Sequence, residues 1–114
     1  MKTLKCYGAQ GDLLICRIEK LPENIKQEKS IEGRFIVAHS ESGHHHVIAE
    51  KPGVEYFSGE DPMVAYLRVI DNTEVTLEHL RDFDTHESWL IKGGTYEILR
   101  SREYTPTGWR RTQD

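Results

Sequence analysis

Two cysteines, four prolines and no long apolar run set the first limits on this chain of 114 residues. Nowhere do enough consecutive apolar side chains occur to cross a bilayer as a helix, and Met1-Lys2-Thr3-Leu4-Lys5 lacks the apolar stretch of a signal peptide. The expectation is a cytoplasmic protein with no membrane association. Cys6 and Cys16 lie too far apart for a Cys-x-x-Cys metal or redox pair. They read as a free surface thiol and a strand residue, both reduced in the cytosol. Basic residues do not dominate either, since 15 Lys and Arg against 19 Asp and Glu leave a net charge of -4 with His neutral. Polyanion binding depends heavily on phosphate neutralisation, so a general nucleic-acid binder is not expected. The chain also lacks a helical apolar stripe, an internal repeat and a phosphate-cradling glycine loop. Ser40 and Ser42 stand beside histidines, but no Gly-x-Ser-x-Gly frame marks either as a nucleophile.

What is present is a series of short apolar runs separated by turn signals. With 37% apolar and 30% charged residues the chain is polar yet globular, and its length fits a single domain over 1–114 with one core. The alternation predicts strands over 12–18, 34–50 (a hairpin), 54–58 with 63–70 (a second hairpin through Gly59, Glu60, Asp61 and Pro62), and 74–80 after a turn at Asp71, Asn72 and Thr73. Residues 22–32 read as an exposed loop with room for one helical turn. A last hairpin, 86–100, turns at Gly93 and Gly94; it pairs Trp89 with Ile98 and Ile91 with Tyr96, and puts His86 on the other face unless a bulge intervenes. From about residue 101 the chain reads as a partly ordered tail anchored by Tyr104 and Trp109. Arg100, Arg102, Arg110 and Arg111 there could grip a phosphate, though a solvated tail is the simpler reading. Many short strands and little helix indicate an all-β fold, a small barrel or sandwich of antiparallel hairpins.

The chemistry concentrates at Ser42-Gly43-His44-His45-His46, preceded by His39 and Glu41. This run is internal, so it is no terminal purification tag. If Ser42 and Gly43 are a two-residue turn, Glu41 faces His44, His39 faces His46 and Val37 faces Ile48. Opposed residues share a face and successive ones along a strand point opposite ways. His39, Glu41, His44 and His46 would then converge while His45 points away. Imidazole and carboxylate donors suit a divalent transition metal such as zinc, iron, nickel, copper or manganese. The expected ligands are His39, His44, His46 and His86, with His79 as the alternative to His86. Glu41 is a ligand or a catalytic base beside the metal, acting on a small-molecule substrate. A noncatalytic module that binds a ligand or protein partner through its β surface is the competing expectation, and either form could pair with itself through a free strand edge to give a homodimer.

Two resemblances attach to these residues. The spacing from His44 and His46 to Glu50 resembles the first metal motif of the cupins, a β-barrel superfamily in which two His and a Glu bind a metal; the resemblance implies a cupin-like barrel. More broadly, Gly11-Asp12-Leu13-Leu14, Ala38-His39-Ser40-Glu41 with Gly43-His44-His45-His46, and Arg102-Glu103-Tyr104-Thr105-Pro106 resemble a family of small uncharacterised bacterial proteins with a Gly-His-x-His signature. That resemblance implies a shared fold and a family histidine cluster, and no activity.

Overall fold

Two long strands organise the sheet, and both run further than the sequence suggests. A computed structural model describes residues 2–10, 13–38, 46–79 and 88–100. In chain order the strands are β1 (Lys2–Thr3), β2 (Tyr7–Gln10), β3 (Leu13–Ile18), β4 (Lys26–Gln27), β5 (Arg34–Ala38), β6 (His46–Ala49), β7 (Val54–Ser58), β8 (Val64–His79) and β9 (Trp89–Leu99). No helix occurs among the described residues. The fold is all-β, and its strands form one sheet with antiparallel neighbours except for the parallel pair β1 and β9.

β8 and β9 pair along most of their length and take different neighbours at their two ends. At the start of β8 and the end of β9 the order is β4-β7-β8-β9-β3-β2. At their other ends it is β5-β6-β8-β9-β1. The inward side chains of both halves belong to one core: the rings of Phe35 on β5 and Tyr56 on β7 lie 5.5 Å apart, and Leu13, Ile15, Leu67, Leu77, Ile91 and Ile98 are almost wholly buried. Trp89 packs against this core, and its Nε1 donates to the Ala9 carbonyl at 2.7 Å, tying β9 to β2. Gly8 leaves room for that contact, because a Cβ there would lie 2.7 Å from Leu4 Cδ1 and 3.0 Å from the Trp89 ring. A sheet curled over a single core in this way is a small sandwich or barrel.

The hairpin at 54–58 and 63–70 forms as its alternation predicts, with Val54 opposite Val69 and Ser58 opposite Ala65. Asp61 closes its loop, accepting from Met63 N at 2.9 Å through its carboxylate and from Val64 N at 3.0 Å through its carbonyl. Two expectations fail. β9 passes straight through Gly93 and Gly94 without turning, and β8 continues through Asp71, Asn72 and Thr73. Val69 pairs with Gly94 and Glu74 with Lys92, so residues 70–73 oppose Gly93 alone. Asn72 takes a φ of 66° in this bulge, a conformation Asn adopts more readily than most residues. The misreading has a physical cause. Trp89 and Ile91 face the core before the glycines and Tyr96 and Ile98 after them, a change of phase that a hairpin and a bulge produce alike. Gly93 is needed because the strands come close: a Cβ would meet the Ile70 carbonyl oxygen at 3.0 Å and Asp71 Cα at 3.1 Å. Residues 22–32 contain no helical turn; their only strand is β4, lying along β7. The short strands β1 and β2 were not expected, and residues 101–114 lie outside the described residues.

Candidate functional site

β5 and β6 form the predicted hairpin in a different register. Phe35 lies opposite Ile48 and Ile36 opposite Val47, and an irregularity at Val37 then sets Ala38 opposite His46. The expected pairs were Val37 with Ile48 and His39 with His46. One extra residue in β5 changes which side chains share a face beyond it. The parity argument that grouped His39 with His46 therefore loses its premise. His39, Glu41, His44 and His45 lie outside the described residues, and so does His86.

Of the expected ligands, His46 is the one the structure describes in full. It opens β6, and its backbone partner on β8 is His79, while Ile48 lies opposite Leu77. Ala38, His46 and His79 thus occupy one row across β5, β6 and β8. His46 is completely buried, the only polar side chain other than a tyrosine so enclosed among the described residues, on the side of the core that holds Val37, Ile48 and Leu77. Enclosing an imidazole in an apolar core is costly unless its nitrogens are satisfied, which makes this the most informative polar residue of the sheet.

Glu50 does not complete a cupin-like set with it. Its carboxylate is exposed and accepts from the Ser30 hydroxyl, while its N–H donates to the Gly33 carbonyl at 2.9 Å. Among the described residues no three His, Cys, Asp or Glu side chains are grouped to hold a metal ion.

A second polar cluster, not foreseen from the sequence, occupies the opposite end of β8 and β9. Arg100 N donates to the Met63 carbonyl at 2.8 Å, and Arg100 Nη2 donates to Tyr56 Oη at 3.2 Å. Glu28 N donates to the Tyr56 carbonyl at 2.8 Å, and Ser58 Oγ donates to Glu28 Oε2 at 2.5 Å. Burial pushes the Tyr56 phenol above its ordinary pKa; Arg100 opposes the shift and Glu28 adds to it. Arg100, expected to belong with the arginines of a basic tail, is instead half-buried against Tyr56. The clue available was Tyr56 itself, in phase with Val54 on the inner face of β7, where a buried hydroxyl requires a partner.

A family model described as "Domain of unknown function (DUF8820)" matches residues 9–101. No curated protein and no solved structure matches the chain. The match brings no activity with it, and neither the Gly-His-x-His signature nor the cupin likeness follows from it.

Proposed function

The chain belongs to this family of unknown function, DUF8820, and from its own residues we propose that it is a small metal-binding β protein whose site lies at the histidine end of the sheet. One observation supports the reading. Ala38 ends β5, His46 begins β6, His79 ends β8 and Trp89 begins β9, and these ends are neighbours: Ala38, His46 and His79 share a row, and Trp89 lies opposite Leu77. All six histidines of the chain fall on these ends or in the segments that join them, His39, His44 and His45 between β5 and β6 and His86 between β8 and β9.

On this reading His39, His44, His46 and His86 are the ligands, with His79 as the alternative to His86 and Glu41 as a ligand or base. Neutral imidazole with a carboxylate suits zinc, iron, nickel or manganese. A coordination position left to water would let the metal act as a Lewis acid on a small-molecule substrate.

The deciding measurement is the metal content of untagged protein, followed by zinc titration of the stripped chain near neutral pH. Stoichiometric uptake is expected, lost in a His44→Ala, His86→Ala double variant that keeps the parent's melting temperature, and retained in Glu50→Ala. Untagged protein that takes up no zinc, nickel or iron, or a double variant that binds like the parent, removes the proposal. The complete burial of His46 favours a second reading, a metal-free binding module. There the imidazole is a packing and hydrogen-bonding group, and no substitution at the other histidines changes metal content.

A further inference from the structure

The outward face of the half-sheet built on β2, β3, β9, β8 and β7 is apolar without belonging to the core. Tyr7, Cys16, Glu97, Tyr66 and Phe57 stand in one row across these five strands. Leu14, Leu99 and Val64 stand in the next. Between them runs the inward row of Ile15, Ile98 and Ala65, each at most 1% exposed, so strand alternation turns both outer rows away from the core. Tyr7 is 71% and Leu14 37% exposed. Phe57, at 9%, is nearly covered although it stands outside the core cluster. The outer face of an antiparallel sheet ordinarily carries polar side chains; in these two rows Glu97 is the only charge.

We propose that this face is the docking surface for the chain's own C-terminal segment, 101–114, which lies across the strands with Tyr104 and Trp109 on the apolar rows. The route is short, because Arg100 follows Leu99, itself a member of one row. The span fits: five strands about 4.8 Å apart are roughly 19 Å wide, and nine extended residues from Arg100 to Trp109 reach about 30 Å. The charges favour it, since Arg102, Arg110 and Arg111 outnumber Glu103 and Asp114 in the segment, while the rows carry Glu97, with Asp61 of the β7–β8 loop also near Tyr66. Size selects against a second copy of the chain. One row across five strands and a second across three offer a few hundred Å², short of the roughly 800 Å² per partner of a stable pair, and a face-to-face copy would bury Glu97 without a cationic partner. The segment also lies almost wholly beyond the span that the family model matches.

The chain has two tryptophans, which makes the test direct. A nitroxide is attached to Ala9→Cys in full-length protein carrying Cys6→Ser and Cys16→Ser, and the two indole N–H resonances are followed. Trp89, bonded to the Ala9 carbonyl, must broaden in any folded, labelled sample. The proposal requires that Trp109 broaden with it, and that this vanish when spin-labelled protein is mixed with separately isotope-labelled, nitroxide-free protein. Trp109 left sharp beside a broadened Trp89 overturns the proposal, and broadening in the mixed sample assigns the face to a second copy. Independently, full-length Trp109→Ala should raise the fluorescence of an apolar-surface dye several-fold without lowering the melting temperature of the sheet. Unchanged dye binding also overturns it.

Discussion

Replacing Gly93 tests whether the β8–β9 joint is a bulge or a turn. Its missing Cβ would sit 3.0 Å from the Ile70 carbonyl oxygen and 3.1 Å from Asp71 Cα. Both are main-chain atoms of the neighbouring strand, so no side-chain rotation can relieve the contact. Forcing extra atoms into a well-packed region costs about 1–3 kcal/mol. At about 4 °C per kcal/mol for a chain of this size, Gly93→Ala should melt roughly 4–12 °C below the parent. Gly33 provides the contrast, for it has a φ of 80° and nothing within 4 Å of its would-be Cβ. Its requirement is conformational, and Asn meets a left-handed requirement better than most residues. Gly33→Asn should therefore stay within about 0.5 kcal/mol of the parent, while Gly93→Asn should lose more than Gly93→Ala. Urea unfolding followed by tryptophan fluorescence measures both. If Gly93→Asn is as mild as Gly33→Asn, Gly93 occupies a left-handed hairpin position of the kind that favours Asn, and the continuous β9 described above is wrong.

Two further outcomes follow from burial and charge. Leu77→Ala and Ile91→Ala, which truncate fully buried side chains, should each cost about 2–5 kcal/mol. Half-buried Leu90 should cost clearly less on truncation, and equal losses would mean that both faces of β9 are enclosed. The raised pKa of Tyr56 means that the folded state holds the phenolic proton more tightly than the unfolded chain. The stability this supplies is complete below the ordinary tyrosine range near pH 10 and is lost as pH rises through the folded-state value. Tyr56→Phe should flatten that alkaline decline without abolishing it, since Tyr96 is shifted the same way, chiefly by burial, with Arg17 opposing. A decline of unchanged steepness in Tyr56→Phe would refute the assignment.

The all-β class and the inner face were legible in the chain because period-two alternation is a local signal: Leu13 with Ile15, Ala65 with Leu67 and Val69, and Val75 with Leu77 are all buried as their spacing requires. The hairpin around Gly59 to Pro62 was legible because its loop residues have the chemistry of a turn. What local pattern cannot distinguish is a reversal of direction from a bulge, and Gly93-Gly94 was misread for that reason. The single extra residue at Val37 leaves no compositional mark, yet it decides what faces His46. β1, β2 and β4 are too short for an alternating pattern to register; they are strands because longer neighbours hold them. At the histidine end the sequence identified His46 as a notable residue and missed its burial, because a polar residue in an apolar phase looks the same whether enclosed or at a rim. Tyr56 escaped notice and Arg100 was grouped with the basic tail because the two meet only through tertiary pairing.

The sharing of β9 by both halves of the sheet bears on how the chain reaches this fold. Leu14 is paired with Leu99, and Lys2 with Trp89, so the earliest strands close against one of the latest. Contacts of such wide separation along the chain slow folding. During synthesis β2 and β3 can pair with each other but wait, with an open edge, until β9 emerges, and neither half can close before then. Folding is therefore expected to be a late, concerted event after nearly the whole of this stretch has left the ribosome. Until that moment the nascent chain presents an apolar strand edge of the kind that invites aggregation and chaperone capture.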